Sequence, residues 1–265
     1  MTAGAIPQGT PTLSIVIATY NCADTLQACL DSIHAQSWPG IEIVVADGGS
    51  TDGTVELIRA NADRLGPWVS EPDRGIYDAW NKALELAGGD WIHFLGGDDR
   101  LHARDSIARA MTRIADLPDA VTLAYGQVRF VRADGSSRMM GAPWETLAPR
   151  MQSEMSLPHQ GIFHARRLFD RHGGFDDGFR IAGDYNLIMR AVAEHPPAYL
   201  GDVVIADQHA GGTSGLRRSR IATLREFRRV QRALGLPVRP RWVWAYAKGL
   251  GWRALSRFID VGAGA

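Results

Sequence analysis

Four short apolar runs alternate with three amphipathic segments in the first hundred residues. The runs are LSIVIA (13–18), IEIVVA (41–46), WVS (68–70) and WIHFL (91–95). Between the first two, apolar residues recur at helical spacing, at Leu26, Cys29, Leu30 and Ile33. Parallel strands require crossover helices of this kind, so the pattern predicts an α/β fold with a doubly wound, mostly parallel, Rossmann-like sheet.

The two later amphipathic segments fit the same scheme. Val55, Leu57 and Ile58 follow the second run at helical spacing. The segment before the fourth run predicts an apolar helix face made of Ile76, Ala79, Trp80, Ala83 and Leu84.

Composition places the chain among ordinary globular proteins, with 45% hydrophobic and 22% charged residues in 265. The two cysteines, Cys22 and Cys29, are too few for a disulfide framework and lack metal-ligand spacing. The first residues resemble a disordered lead-in rather than a signal peptide, and no apolar run reaches the roughly 18 residues of a spanning helix. We therefore expect a cytoplasmic protein, unless something holds it to a surface.

Charge is unevenly distributed along the chain. From residue 217 onward, twelve Lys or Arg residues face two acids, so this tail carries +10 and the rest of the chain −10. The tail also contains Trp242, Trp244, Tyr246, Trp252 and Phe258. Basic and aromatic residues on helices suit an anionic membrane surface. The alternative is that the tail packs against the main domain or a second subunit.

Polar side chains follow each predicted strand, at the edge where ligands bind in open α/β sheets. They are Thr19, Tyr20 and Asn21, then Asp47, then Glu71 and Asp73, and finally Asp98 and Asp99. Adjacent carboxylates raise each other's pKa, and a hard cation such as Mg²⁺ or Mn²⁺ relieves their repulsion. The sequence therefore indicates a metal-assisted diphosphate site, with a simple polar turn at GGDD as the alternative.

Several segments resemble, in order and spacing, family 2 glycosyltransferases with the GT-A fold, including the bacterial enzymes of polysaccharide and glycolipid synthesis of the colanic-acid and mycobacterial types. In the donor half the segments are SIVIATYN (14–21), IEIVVADGGSTDGT (41–54), EPDRGIYDAWNKAL (71–84) and WIHFLGGDD (91–99). In the acceptor half they are PHQGIFHARRLF (158–169) and FRIAGDYNLIMR (179–190). The likeness covers roughly residues 12 to 215.

The resemblance implies roles for the strand-end residues. Asp99 would bind the cation that bridges the donor diphosphate, and Asp98 would face the ribose. Asp47 would bond the base or ribose, although an Asp-Gly turn followed by a helix cap from Ser50 or Thr51 is an alternative. The remaining residues assigned to the nucleotide site are Thr19, Tyr20, Asn21, Asp73, Arg74 and Lys82. Lys82 has the alternative of being a solvated surface lysine.

The resemblance places the catalytic base at Asp184, which would take the proton of the acceptor hydroxyl. The alternative for Asp184 is a helix N-cap. Many relatives carry a second acid two residues later, where this chain has Asn186. His159 and Gln160 would line the acceptor side of the cleft, or His159 would simply be a buried, hydrogen-bonding histidine. His209 would approach the metal or diphosphate, or serve the structure alone.

The resemblance implies a metal-dependent, inverting glycosyltransferase that uses Mn²⁺ or Mg²⁺, a nucleotide-sugar donor and a saccharide or lipid-linked acceptor. We expect no binding of nucleic acid, because charge is the only feature that favours it. We expect four segments: a lead-in (1–11), a nucleotide-sugar half (12–100), an acceptor and catalytic half (101–215), and a basic helical tail (216–265).

The segment that follows the first strand argues against two of three alternative functions. A sugar-nucleotidyltransferase should carry a Gly-rich basic loop there, where this chain has ATYNCAD. An NAD-dependent enzyme would need G-x-G-x-x-G at the same place. A catalytically silent nucleotide- or sugar-binding module remains an alternative. The sequence leaves the oligomeric state, the sugar, the base and the linkage open.

Overall fold

The computed structural model describes residues 10–209 and 220–249. Its strands are β1 Leu13–Thr19, β2 Ile41–Asp47, β3 Trp68–Ser70, β4 Trp91–Gly96, β5 Arg100–Leu101, β6 Leu123–Val131, β7 Ser137–Met140, β8 Ile162–Ala165 and β9 Ala198–His209. Its helices are α1 Ala23–His34, α2 Thr54–Ala60, α3 Ile76–Leu86, α4 Ser106–Ala115, α5 Trp144–Met151, α6 Arg166–His172, α7 Gly183–Glu194 and α8 Arg220–Ala233. Residues 240–249 are also helical.

Parts of the predicted lead-in and tail fall outside these described ranges. Most of the lead-in does so, and so do residues 210–219 and 250–265, with Trp252 and Phe258 among them.

Within the described ranges, the strands form one nine-stranded sheet of order β3-β2-β1-β4-β8-β6-β9-β5, with β7 paired to β6. The first four strands are parallel to one another, as the sequence predicts. Their register aligns Thr19 with Asp47 and Asp47 with Ser70. The predicted strand-end residues therefore lie along one edge of the sheet.

The two faces of the sheet are buried by different helices. In β1, Ile15 and Ile17 belong to the core that α1, α2 and α4 cover, whereas Val16 belongs to the core that α3, α6 and α7 cover. This alternation follows from the two-residue period of a strand. Burial on both faces explains why β1 and β2 read as continuous apolar runs.

The predicted helix faces are largely confirmed. All four apolar residues predicted for the first helix are buried in α1. On α3, Ala79, Trp80 and Ala83 are buried as predicted. Tyr77, at 4% exposed, takes the place of the predicted Ile76, which is 44% exposed. Tyr77 buries its ring and keeps its hydroxyl hydrogen-bonded, a combination that apolar periodicity does not detect.

The second half of the chain extends the sheet through both antiparallel and parallel pairing. Strand β8 pairs with β4 and β6, and β9 returns parallel to β6. A hairpin joins β6 to β7 through Asp134 and Gly135. These connections place α7, with Asp184 in its first turn, on the same face as α3.

Part of the basic tail packs against the second half of the chain. Phe227 and Val230 of α8 are buried, and the Phe227 ring lies 4.5 Å from that of Tyr185 on α7. The apolar face of α8 is therefore used inside the protein. Among the described residues, no helix combines the length and the hydrophobicity that a membrane crossing needs.

Candidate active site

Asp98 and Asp99 fold back over Gly96 at the end of β4. A Cβ atom at Gly96 would lie 2.7 Å from Oδ1 of Asp98 and 2.9 Å from Oδ2 of Asp99. Because real Cβ atoms do not approach oxygen this closely, glycine is needed there for both carboxylates to share one space. Asp98 is exposed, whereas Asp99 is 3% exposed.

Neighbouring groups from both halves of the chain contact or perturb the Asp99 carboxylate. Burial, and then the neighbouring charge of Asp98, raise its pKa to about 7. Against these effects, the side-chain amide of Gln160 donates to Oδ2 over 3.0 Å, and the backbone N–H of His209 also donates to the carboxylate. The partners of Asp99 therefore come from two segments of the second half.

The Asp98–Asp99 pair fits a hard divalent cation. Its donors are carboxylate oxygens, and their mutual repulsion falls when a cation lies between them. Among the described residues, no group of three or more His, Cys, Asp or Glu side chains could enclose a metal ion. Mg²⁺ and Mn²⁺ commonly take one or two carboxylates and complete their coordination with water and phosphate oxygens.

Asp47 ties together the ends of the first three strands. Its Oδ1 accepts bonds from the hydroxyls of Thr19 (3.0 Å) and Ser50 (2.5 Å), and its Oδ2 accepts from the Ser70 hydroxyl and the N–H groups of Gly49 and Ser50. Burial alone would raise the pKa of Asp47, but these bonds hold it below the usual value.

Five bonds nearly saturate a carboxylate, and Asp47 is 2% exposed. The Asp-Gly turn that the sequence offered as an alternative is present. The helix cap is not, because α2 begins after Gly53 with no side-chain cap. The expected bond from Asp47 to a base or ribose stays a prediction.

Tyr20 and Asn21 follow β1 at the same edge. Tyr20 is 68% exposed, although most tyrosine rings bury part of their surface. Asn21 has a φ of +48°, which is uncommon outside glycine. Its side-chain oxygen accepts the N–H of Thr51, and its own N–H donates to Ser50. These bonds fix the loop after β2 beside the exposed Tyr20 ring.

Asp73 and Arg74 lie at the start of α3. Asp73 accepts the N–H of Gly75, and its carboxylate closely approaches Gly48 in the loop after β2. Arg74, two residues before α3, pairs with Asp78 in the first turn of that helix (2.6 Å) and with Asp177 in the second half of the chain (2.5 Å). Arg74 therefore links the two halves beside the predicted nucleotide site.

Lys82 lies one turn further along α3. It pairs with Glu71 over 2.8 Å and donates to the carbonyl of Pro72. Its side chain is 26% exposed and bound to the segment after β3, so it is not a freely solvated lysine. Its contact with a nucleotide stays a prediction.

A short 3-10 turn, His159–Gly161, lies directly before β8. Gln160 reaches Asp99, as described above. The His159 ring stacks on Trp80 of α3 with 4.8 Å between centroids, and its Nε2 is buried without a hydrogen-bond partner in the described part of the chain. Burial lowers the pKa of His159, and the charge of Asp184 opposes that shift. His159 is therefore buried as the alternative expects, but within the described residues its Nε2 lacks the hydrogen bond that the alternative includes. Gln160 lies beside the predicted metal ligand.

Asp184 is the second residue of α7 rather than its cap. The N-cap is Ala182, with no side-chain cap bond, so the N-cap alternative is wrong. Oδ1 of Asp184 accepts bonds from the Tyr77 hydroxyl (3.1 Å) and from the N–H of Tyr185 (2.7 Å). Hydrogen bonds from the described residues thus end on one oxygen, which leaves Oδ2 for a substrate.

Two residues of this network were not singled out from the sequence. Tyr77 is not part of the helix face predicted from the apolar spacing, but its ring is buried, and a buried tyrosine hydroxyl needs a partner. Glu226 is one of two acids in a tail of twelve basic residues. Its carboxylate accepts the N–H groups of Arg180, Ile181 and Ala182, directly before α7.

Comparisons with known proteins agree with the resemblance read from the sequence. Residues 14–175 match the profile described as "Glycosyl transferase family 2". The "PGL/p-HBAD biosynthesis glycosyltransferase" of Mycobacterium bovis is 35% identical over 211 residues, which cover 77% of this chain and 79% of the relative. The likeness to colanic-acid transferases is a looser comparison.

Solved structures agree with the predicted fold. The mannosyltransferase PcManGT from Pyrobaculum calidifontis, in complex with GDP-Man and Mn²⁺, superposes with a TM-score of 0.65 at 22% identity, covering 99% of this chain and 83% of that one. Residues 1–349 of S. aureus TarS, in complex with UDP-GlcNAc, superpose with a TM-score of 0.63 at 18% identity, covering 90% and 71%. At these identities the likeness shows the fold alone, and that fold is GT-A.

Proposed function

This chain belongs to glycosyl transferase family 2, and from that premise we propose that it moves a sugar from a nucleotide-sugar donor to a saccharide or lipid-linked acceptor, with a divalent cation and with inversion. One observation carries the proposal. Gln160 of the turn His159–Gly161 donates to Asp99, and the ring of its neighbour His159 stacks on Trp80 of α3. The Trp80 ring in turn contacts that of Tyr77, whose hydroxyl hydrogen-bonds to Asp184. A donor diphosphate at the first acid would therefore lie next to a base at the second.

On the donor side, the strand-end edge offers an exposed ring and several acids. Tyr20 provides a flat surface for a base, and the exposed Asp98 provides an acceptor for ribose hydroxyls. Asp73 and Arg74 lie beside this edge, directly before α3. The two structural neighbours described above hold GDP-Man and UDP-GlcNAc, which supports a nucleotide-sugar as the donor class.

Asp99, with Asp98, would hold the cation. When bound, Mg²⁺ or Mn²⁺ would neutralise charge on the departing diphosphate. The Gln160 amide donates to Oδ2 of Asp99 and so helps to orient this carboxylate.

Asp184 would act as the base. Its Oδ2 takes the proton of the acceptor hydroxyl, the acceptor oxygen bonds to the anomeric carbon, and the bond from that carbon to the phosphate oxygen breaks. The electron pair leaves with the nucleoside diphosphate. A single displacement from the face opposite the leaving group inverts the anomeric centre. We infer inversion because one base accounts for the step without a protein nucleophile.

We place this reaction in the synthesis of cell-surface polysaccharide or glycolipid, in the cytoplasm and at the inner face of a membrane. The mycobacterial relative is named for PGL/p-HBAD biosynthesis, which supports a glycolipid-type acceptor. The tail supports the location, because Trp244 is 63% exposed and Lys248 lies 5.0 Å from its ring centroid. Exposed tryptophan beside cationic side chains suits an anionic lipid interface.

A thermal-shift screen tests the proposed function. UDP-, GDP-, dTDP- and CMP-sugars are added with and without Mn²⁺ to the wild type, to Asp99→Ala and to the control Asp116→Ala, which removes an exposed carboxylate after α4. We expect one nucleotide class to raise the melting temperature of the wild type and of the control only when Mn²⁺ is present. The same addition should not change the melting temperature of Asp99→Ala. Release of nucleoside diphosphate must follow with that donor. Stabilisation without turnover would instead indicate a silent binding module.

A further inference from the structure

The base Asp184 is held by residues from two distant parts of the chain. Tyr77 reaches it from α3, across 107 residues of sequence, and Glu226 holds the segment before α7 from α8. The family profile ends at residue 175, so it contains neither Asp184 nor Glu226. We propose that Tyr77 and Glu226 are positioning residues for Asp184, an inference that rests on the proposed function.

The first step concerns the Tyr77 hydroxyl, which has one proton and two acceptors. The hydroxyl oxygen lies 2.7 Å from the carbonyl oxygen of Ile181 and 3.1 Å from Oδ1 of Asp184. A hydrogen bond to an ionised carboxylate is stronger than one to a neutral acceptor. The proton therefore favours Asp184 while that residue is ionised and can turn to Ile181 after Asp184 has accepted a proton.

The second step concerns which oxygen of Asp184 reacts. Tyr77 and the N–H of Tyr185 both bond Oδ1, and this fixes the plane of the carboxylate. Oδ2 is then the oxygen that receives the proton of the acceptor hydroxyl. A base must be held within hydrogen-bond reach of that proton, so a carboxylate that rotates freely would react more slowly.

The third step concerns Gly183, which permits the close approach of Tyr77. A Cβ atom at this position would lie 2.8 Å from two carbons of the Tyr77 ring. The ring is 4% exposed and also stacks on Phe175, 5.8 Å away. Gly183 therefore lets the ring pack directly against the start of α7, where the base lies.

The fourth step concerns Glu226, which fixes the backbone of residues 180–182. Its Oε2 accepts the N–H groups of Ile181 and Ala182 at 2.8 Å each, and its Oε1 accepts that of Arg180 at 3.2 Å. Ile181 is also the residue whose carbonyl shares the Tyr77 proton. Glu226 thus holds both the start of α7 and the second acceptor of Tyr77.

Packing of α8 keeps Glu226 in this place. Phe227 contacts the Tyr185 ring, and the guanidinium of Arg229 lies 4.1 Å from the ring centroid of Phe179. These contacts lie on both sides of the 180–182 segment in sequence. Helix α8 therefore packs as part of the catalytic half of the protein.

The test compares Tyr77→Phe and Glu226→Ala with two matched controls. Tyr125→Phe removes a hydroxyl that donates to the carbonyl of Ala142, and Glu85→Ala removes an exposed carboxylate on α3. Transfer is followed as release of nucleoside diphosphate, with the donor chosen by the screen above and a panel of octyl glycosides as acceptors. Binding of that donor is measured by thermal shift.

We expect kcat to fall about 10-fold to 100-fold in both variants, with KM for the donor and the donor-induced thermal shift unchanged. Both controls should stay within twofold of the wild type. Glu226→Gln, which keeps an acceptor oxygen, should recover part of the lost rate. A Tyr77→Phe enzyme with the kcat of the wild type would overturn the role of Tyr77.

Hydrogen exchange tests the Glu226 contact without any activity. The amides of residues 180–182 should exchange about 10-fold faster in Glu226→Ala, because each loses a hydrogen bond worth about 1.4 kcal/mol. Unchanged exchange would overturn the role of Glu226. A wild type that binds donors but transfers no sugar would contradict the proposed function, and the exchange data would still decide whether Glu226 holds this segment.

Discussion

The side-chain amide of Gln160 donates a hydrogen bond to Oδ2 of Asp99, with 3.0 Å between the two atoms. The bond joins the end of β4 to the turn before β8, and it orients a carboxylate that is almost wholly buried. Groups that orient a metal ligand in this way affect metal affinity strongly. Gln160 is therefore connected to the donor side of the site as well as to the acceptor side expected from the sequence.

We predict that Gln160→Ala weakens binding of the cation. Without its donor, Asp99 can rotate and must reorganise before binding. The Mn²⁺ concentration that gives half of the donor-dependent thermal shift should rise about 10-fold. Gln36→Ala is the control, because it also removes half-buried amide hydrogen bonds, but to Ser32, Ala103 and Ile107 rather than to Asp98 or Asp99. An unchanged Mn²⁺ requirement in Gln160→Ala would show that the bond does not affect the metal site.

We predict that Tyr20 stacks on the nucleotide base. Its ring is 68% exposed at the end of β1, and stacking of a base on an aromatic ring is worth about 1–3 kcal/mol by alanine substitution. Tyr20→Ala should therefore raise the Kd for the free nucleoside diphosphate about 10-fold, measured by calorimetry with Mn²⁺ present. Tyr20→Phe keeps the ring and should bind like the wild type. Equal loss in both variants would point to the hydroxyl instead.

The fold could be predicted from the sequence because its signals are local. Strands β1 to β4 are marked by continuous apolar runs, and the buried face of α1 by a spacing of three and four residues. The strand-end acids followed from the same pattern, since parallel strands bring their carboxyl ends to one edge. Each strand and helix signal lies within a short stretch of neighbouring residues.

The partners of the acids could not be predicted in this way. Gln160 and Asp99 are 61 residues apart, and Tyr77 and Asp184 are 107 apart. Their contacts depend on the antiparallel strand β8 and on the packing of α7 against α3, which no local period encodes. The saturation of Asp47 depends likewise on Ser70 from β3. The sequence thus indicated which carboxylates are candidate site residues. The tertiary structure determines which groups hydrogen-bond to each of them.

We predict that the protein loses stability between pH 7 and pH 5 because of His93. Burial lowers the pKa of His93 to about 4, while an unfolded histidine titrates near 6.5. The folded pKa is below the unfolded one, so the unfolded chain gains a proton first as the pH falls. This penalty is absent above about pH 6.5 and reaches about 2 kcal/mol at pH 5.

Urea denaturation of the wild type and His93→Phe at both pH values measures this effect. The variant should lose about 2 kcal/mol less than the wild type on acidification, whatever its stability at pH 7. His195→Gln removes a histidine that is only partly buried and should keep the slope of the wild type. Equal slopes in wild type and His93→Phe would assign the acid sensitivity to other groups.

We predict that the 240–249 helix, rather than α8, carries any membrane contact. The apolar face of α8 is packed against α7, whereas Val243 and Trp244 are 51% and 63% exposed. Lys248 near the Trp244 ring and Arg241 add positive charge to the same helix. Co-sedimentation with vesicles that contain anionic phosphatidylglycerol should therefore fall several-fold in Trp244→Ala, and also in wild type at high salt. Met139→Ala is the control, since Met139 is 47% exposed on β7. Sedimentation that Trp244→Ala and salt leave unchanged would mean that this helix face does not bind lipid.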